Sequence, residues 1–268
     1  MGATESSLAV TRVDGRSVVT ASHARSPLKL LAPRNHGHAA WVYQSSYGGG
    51  FVGADDISLA VNVEPGSTLF LSSQAASRAY AGSQARFSLR ATVADDAALV
   101  FWPDPLSCFP GADFEQVLHF SLAANASLLA VDALSAGRVA RGERWAFQKL
   151  ATKLHIAVAN VPALRESLLL TADAGLLSAR LEGIDALATV VLAGPKLAPA
   201  CAQLAKSINE RGLQPLREAT LVTASTWPWG MVLRLASPSV DALTHTLREL
   251  LQAHAHALLG DDPWARKW

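Results

Sequence analysis

The sequence predicts a mainly β protein with stacked, β-helix-like sheets and two amphipathic helices in its C-terminal third. Apolar and polar residues alternate with a period of two from the N-terminus to about Gly194, which is typical of half-buried strands. Three turns, at residues 64–67, 94–97 and 123–126, each join two alternating segments, and they begin 30 and 29 residues apart. Such a repeat favours stacked layers of strands. Beyond Gly194 the apolar residues recur at helical spacing instead.

The individual strands follow from this alternation. Each alternating segment is bounded by Gly, Pro, Asp or Asn, the residues that most often form turns. The predicted strands before residue 110 are 7–12, 16–20, 39–43, 58–63, 68–72, 87–93 and 98–102. Two further strands, at 218–224 and 229–235, are expected between the helices.

The first helix is predicted from the apolar stripe of Leu197, Cys201, Leu204 and Ile208, with Gly212 as the residue that ends it. The second begins after residues 237–239, which supply a capping hydroxyl and a proline. Its stripe consists of Val240, Leu243, Leu247, Leu250, His254 and Leu258, and Gly260 follows. We expect the stripes to cover the sheet, although they could also engage another protein. No linker divides the chain, so residues 1–268 are expected to form a single domain.

Composition excludes several classes of function. The 268 residues include 23 basic and 22 acidic side chains, a net charge of +1 that would attract neither nucleic acid nor anionic lipid. Cys108 and Cys201 form no CxxC pair, which argues against a disulfide framework or a structural zinc site. The sequence contains no signal peptide pattern and no membrane-length apolar run. We therefore expect a cytoplasmic protein without a membrane segment.

A glycine-rich loop precedes two neighbouring carboxylates. The loop glycines and the acids are Gly48, Gly49, Gly50, Gly53, Asp55 and Asp56. An alternating strand follows, rather than the Gly-Lys-Ser/Thr and helix of a phosphate loop. We expect at least one of these glycines to have a positive φ and the acids to lie at the mouth of a strand, within reach of a cation or a partner. The alternative is a tight turn that ends in solvated acids.

Catalytic motifs are absent from the sequence. It contains no Gly-x-Ser-x-Gly and no His-Glu-x-x-His, and neither cysteine has the context of a nucleophile. The paired histidines are His36 with His38 and His254 with His256. For the first pair, a transient metal site and a solvated loop both remain open. The second pair lies on a predicted helix, where side chains two residues apart point in different directions, so both histidines cannot easily bind one metal.

Asp132 and Glu143 are acids in apolar surroundings, and a buried carboxylate is normally paired or functional. Asp132 ends the alternating run 127–132, so a structural pair with Arg138 or Arg141 is one interpretation. A polar strand end at residues 72–77 either caps turns or lines a wet internal passage.

Seven segments, in order, carry a family resemblance. They are 26–29 (SPLK), 48–55 (GGGFVGAD), 64–67 (EPGS), 72–80 (SSQAASRAY), 102–105 (WPDP), 109–112 (FPGA), and Asp132 with 137–143 (GRVARGE). Together they resemble the UreD (also called UreH) family of urease accessory proteins. The chain departs from the family pattern at Ala54, where glycine is common, and at Arg78, where lysine is common.

The resemblance implies a non-enzymatic maturation factor with a mainly β fold. Such a protein would bind the urease apoprotein and a UreF-type partner, recruit a UreG-type GTPase, and conduct nickel through an internal tunnel without a permanently bound cofactor. The implied transient nickel residues are Asp55, Asp132, Glu143 and Glu166. The implied tunnel or partner contacts are Ser77, Asp56, Gln74, Arg78, Tyr80 and Arg138.

Two alternatives remain open at the level of the sequence. One is an all-β interaction adaptor without a metal role. The other is a hydrolase that uses Asp55 and Asp132 as an acid/base pair, as carboxylate pairs do in glycosidases.

Overall fold

The computed structural model describes residues 5–34, 37–211 and 219–264. It confirms a mainly β protein, with 49% of residues in strands and 19% in helices. The strands before residue 110 are β1 Ser6–Val13, β2 Arg16–His23, β3 Leu28–Leu31, β4 Ala40–Ser46, β5 Asp56–Val63, β6 Thr68–Ser73, β7 Arg78–Ala79, β8 Ala85–Val93, β9 Ala98–Phe101 and β10 Leu106–Cys108. The later strands are β11 Asp113–Leu122, β12 Ser127–Ser135, β13 Lys149–Val158, β14 Val161–Thr171, β15 Ala186–Ala193, β16 Leu221–Trp227 and β17 Gly230–Ser237. The α-helices are α1 Leu177–Arg180, α2 Ala198–Arg211 and α3 Val240–Leu259.

The strands form two sheets. Sheet A has the order β14-β13-β11-β8-β5-β1-β2, and its strands from β13 to β1 run parallel. Sheet B has the order β16-β17-β15-β12-β9-β6-β4-β3, and the short strand β10 pairs with β12 on one side and with β7 on the other. Its strands β4, β6, β9 and β12 are also parallel.

The chain winds between the two sheets in layers. It passes from β5 in sheet A to β6 in sheet B, and it repeats this step from β8 to β9 and from β11 to β12. The three predicted turns make these steps, and each closes with a backbone hydrogen bond of 3.0 or 3.1 Å between its fourth and first residues. Backbone hydrogen bonds from Ala94 to Val63 and from Ala123 to Val93 join successive layers. The structure therefore confirms the stacked arrangement that the turn spacing predicts.

Two apolar cores hold the layers together. The first lies between the sheets and includes Phe101, Phe114 and Phe120, all fully buried. The second lies between sheet B and the helices and includes Trp41 and Phe70. The apolar stripes of the helices thus cover the outer face of sheet B, as expected. This packing is favourable, since burying one Leu side chain stabilises the fold by about 1.5–3 kcal/mol.

Helix α3 begins and ends where the sequence predicts. The Ser239 hydroxyl accepts a hydrogen bond from the Ala242 N–H at 3.0 Å, and Gly260 ends the helix with a φ of 68°. Gly212, expected to end α2, and the first residue of the predicted strand 218–224 lie outside the described residues. Across the described ranges, none of the helices combines the length and the apolar composition that a membrane crossing requires.

Candidate functional site

A row of polar side chains crosses the inner face of sheet B. Asp132 on β12 pairs in register with Thr189 on β15, and Thr189 pairs in register with Arg234 on β17. Cross-strand partners share one face of a sheet. Because Asp132 contacts residues of sheet A, this shared face points into the space between the sheets.

Asp132 bridges the two sheets. Its side chain is 7% exposed. Its Oδ1 accepts a hydrogen bond from Gln116 Nε2 at 2.8 Å, and its Oδ2 accepts one from Thr152 Oγ1 at 2.6 Å. Gln116 and Thr152 are in register on β11 and β13 of sheet A, so both donors reach the same carboxylate.

Asp132 does not pair with Arg138 or Arg141, which was one of the interpretations that the sequence left open. Strand β12 continues past residue 132 to Ser135, so Asp132 lies within the sheet rather than at a strand end. Arg138 instead binds Glu143 in a bidentate pair, with N–O distances of 2.5 and 2.9 Å.

Burial raises the pKa of the Asp132 carboxyl, and the hydrogen bonds from Thr152 and Gln116 oppose this effect only in part. Desolvation disfavours the charged form of a carboxyl group. The group therefore retains a proton more readily than a solvated aspartate. A cation binds only the deprotonated form of this carboxyl group.

Glu166 and Arg234 join the two sheets near Asp132. The Arg234 guanidinium binds Glu166 at 2.5 Å (Nη2–Oε1) and 3.2 Å (Nε–Oε2). Both side chains line a cavity of about 200 Å³ together with Asp132, Thr152 and Thr189. Arg234 is 46% exposed, so the pair marks the solvent side of this cavity. The structure thus places two of the four expected nickel residues in one cavity.

Four residues of this site were not identified in the sequence: Gln116, Thr152, Thr189 and Arg234. Each is a polar residue at an inward position of a strand whose other inward residues are largely apolar. That irregularity is a signal, but Thr is common in strands. Only the register between strands shows that these positions are neighbours.

The glycine loop has the conformation that the sequence predicts. Gly48 and Gly49 have φ angles of 84° and 72°, which favour glycine. Gly50 is extended, and a Cβ added there would lie 2.2 Å from the Arg78 carbonyl oxygen. Backbone hydrogen bonds from Phe51 to Arg78 (2.6 Å) and from Tyr80 to Phe51 (2.9 Å) fix the loop against the β7 segment.

Several candidate residues gather next to this loop. The rings of Tyr80 and Phe109 meet edge to face, with centroids 5.3 Å apart. The Arg138 guanidinium lies 4.4 Å from the centroid of Phe109, and Arg138 also holds Glu143. Glu143 therefore belongs to this loop cluster, which we define as Gly48–Gly50, Arg78, Tyr80, Phe109, Arg138 and Glu143, and it lies outside the Asp132 cavity.

Asp55 lies on the other side of sheet A. Its Oδ2 accepts a hydrogen bond from the Val52 N–H at 2.8 Å, directly before β5. With Asp56 it lines a trough of about 860 Å³ on the outer face of sheet A, beside Arg86 and Arg90. Asp55 and Asp132 thus face opposite sides of sheet A, and the structure does not bring them together as an acid/base pair.

The remaining candidates lie apart from the cavity. Gln74 is exposed and lines a surface groove with Asp104 and Arg248 of α3. Ser77 is half-buried, and its carbonyl accepts a hydrogen bond from the Ser107 N–H at 2.9 Å. The Ser73 hydroxyl accepts a hydrogen bond from the Asp104 N–H at 2.7 Å and donates one to the Asp104 carboxylate at 2.9 Å.

The donors in the Asp132 cavity suit a weakly held cation. Among the described residues, no group of three or more His, Cys, Asp and Glu side chains forms a firm metal site. Burial raises the pKa of the Cys108 thiol to about 12, so no thiolate forms there near neutral pH. The cavity offers carboxylate and hydroxyl oxygens, which coordinate divalent cations less tightly than clustered imidazole and thiolate ligands.

Comparison with known proteins identifies the family. The family model "UreD urease accessory protein" matches residues 3–268. The chain is 44% identical over 265 residues to a urease accessory protein UreD of Sorangium cellulosum (strain So ce56), covering 97% of this chain and 83% of the relative. It is 42% identical over 261 residues to one from Anaeromyxobacter sp. (strain Fw109-5), covering 96% and 87%. A urease accessory protein D of Oryza sativa subsp. indica is 32% identical over 275 residues, covering 91% and 90%.

The match extends over nearly the whole chain, and the relatives are named as accessory proteins rather than as catalysts. The chain is an accessory protein and not an enzyme, and it belongs to the UreD urease accessory protein family.

Proposed function

We propose that this protein matures urease in the cytoplasm by passing nickel through the space between its two sheets. In this function it binds the urease apoprotein and a UreF-type partner and recruits a UreG-type GTPase. The observation that carries the nickel step is the cavity lined by Asp132, Thr189, Glu166 and Arg234. The family assignment supports the accessory role.

The chemistry of the cavity supports transfer rather than storage. An ion that moves between proteins needs successive weak ligands, because a complete and tight site would trap it. Asp132 provides a carboxylate at the buried end, and Glu166 provides another beside the exposed Arg234. Arg234 neutralises Glu166 when no cation is present, so the ion and the guanidinium compete for the same oxygens.

The loop cluster supports a second role, contact with a protein partner. Tyr47 and Val52 flank the glycine loop and are 57% and 53% exposed, although both are large apolar side chains. Exposed apolar side chains grouped with polar residues are typical of protein interaction sites. The exposed Arg78 lies against the same loop.

The substitution Asp132→Asn tests the nickel step. Asparagine keeps the side-chain volume, accepts from Gln116 and donates to Thr152, so the bridge between the sheets persists without a carboxylate. We expect normal assembly with the urease apoprotein and a reduced nickel content per urease active site. The measurements are co-purification and metal analysis of urease matured with the variant.

Asp185→Asn is the matched control. Asp185 is also buried, but it binds Arg144 at 2.7 Å and lies outside the Asp132 cavity. We expect this variant to lower stability and to leave the nickel content of the assembled urease unchanged. Normal nickel content with Asp132→Asn, together with intact assembly, would favour an adaptor without a metal role.

A further inference from the structure

The outer face of sheet A carries two histidines side by side. His119 on β11 and His155 on β13 are in direct register on adjacent parallel strands. Their ring centroids are 6.1 Å apart, and the rings are inclined at 69°. We propose that these two imidazoles bind a divalent transition-metal cation such as Ni²⁺, with the remaining coordination positions open to water. This site is separate from the Asp132 cavity, because it lies on the opposite face of sheet A.

The geometry suits two ligands to one ion. Adjacent strands are about 4.8 Å apart, and a metal lies about 2.1 Å from an imidazole nitrogen. Two rings on one ion therefore have centroids within about 6 Å of each other, so a small change in side-chain torsion brings the two rings together on a metal. In the described part of the chain, neither ring has a hydrogen-bond partner that would hold its nitrogens away from an ion.

The charges around the pair favour weak, reversible binding. Burial, then Arg165, His119 and Lys153, lower the pKa of His155, since both desolvation and nearby positive charge disfavour a charged imidazole. Lys153 binds Glu115 at 2.7 Å, and Arg90 binds Glu5, so two neighbouring cations are compensated. Arg165, the cross-strand neighbour of His155, is the cation that opposes a bound metal.

Titration of the full chain with NiCl₂ by calorimetry tests the site. We expect the wild-type chain to bind one equivalent of Ni²⁺ at this site. The dissociation constant of this equivalent should rise by about ten-fold or more in both His119→Gln and His155→Gln, because each variant loses one of two ligands. His23→Gln, an exposed histidine on β2, is the control and should leave this equivalent unchanged. Thermal unfolding of each variant checks that the fold is retained.

Arg165→Gln separates metal binding from other roles of this face. Removing the opposing cation should tighten Ni²⁺ binding, whereas an acidic protein partner would be bound more weakly by the same variant. The absence of saturable binding to the wild-type chain, or its survival in the double variant His119→Gln/His155→Gln, overturns the proposal. The histidine variants test this site and Asp132→Asn tests the nickel passage, so the two proposals fail independently.

Discussion

At the scale of single residues, Asp132 links the fold to the proposed chemistry. It is a buried carboxyl group whose two oxygens connect sheet B to Gln116 and Thr152 of sheet A. Replacement by alanine would leave these two donors without an acceptor, at a cost of about 1–3 kcal/mol. An alanine variant would therefore mix loss of stability with any loss of nickel transfer, so asparagine is the informative replacement.

The raised pKa of Asp132 predicts how stability depends on pH. The folded protein binds this proton more tightly than the unfolded chain does, so the stabilisation is complete below the unfolded pKa of about 3.9 and is lost as the pH rises through the folded pKa. We expect the free energy of unfolding of the wild type, minus that of Asp132→Asn, to fall as the pH increases. Urea unfolding of both proteins at several pH values measures this difference. A difference that rises with pH would show that the folded state favours the charged carboxylate.

At the scale of elements, the loop before β5 combines two kinds of backbone constraint. Gly48 has a positive φ but has space for a side chain, whereas Gly50 is extended and closely packed against the backbone of Arg78. Ala54 has a φ of 70°, although alanine disfavours this conformation. It is also the position at which the family pattern commonly has glycine.

Substitution of Gly50 should be more costly than substitution of Gly48. In Gly50→Ala the new Cβ would meet a backbone carbonyl oxygen at 2.2 Å, so the loop must move away from β7. Gly48→Ala meets no neighbouring atom and has only the conformational cost, about 1 kcal/mol. Thermal unfolding of both variants gives the comparison. Equal midpoints for the two variants would contradict the packing argument.

The reverse change, Ala54→Gly, should stabilise the protein. Relief of the left-handed conformation is worth about 1–2 kcal/mol, and the greater freedom of glycine in the unfolded chain offsets about half of it. We expect a gain of about 0.5–1 kcal/mol in the free energy of unfolding. Denaturant unfolding measures it, with Ala76→Gly at an exposed position outside the strands as the control. A loss of stability in Ala54→Gly would contradict the assignment of strain to Ala54.

At the scale of the whole molecule, the sequence predicts the layers better than it predicts the site. Alternation and turn spacing are local patterns, so seven of the ten strands before residue 110, the stacked winding and both long helices could be predicted. The short strands β3, β7 and β10 show too little alternation to be recognised. The capped helix α3 was predicted to within one residue, since Ser239 and Gly260 are local signals.

The candidate site depends on contacts between segments that are far apart in the sequence, and such contacts could not be predicted from local patterns. Asp132 and Glu166 came from the family resemblance, and the structure places both in one cavity. Thr189 and Arg234 lie beside Asp132 because of the pairing register of β12, β15 and β17. This register cannot be read from the sequence of any one strand. The resemblance also implies a nickel role for Glu143. In the structure, the short loop after β12 brings Glu143 next to Arg138, which binds it outside the Asp132 cavity.

The row from Asp132 through Thr189 to Arg234 also determines the length of the proposed nickel path. It runs across the strands, so each step equals the spacing between neighbouring strands, and its two steps measure about 10 Å in all. Two divalent cations confined to so short a path would repel each other by several kcal/mol at an effective protein dielectric constant of about 20. An ion on this path therefore excludes a second one, and transfer along it would deliver nickel one ion at a time.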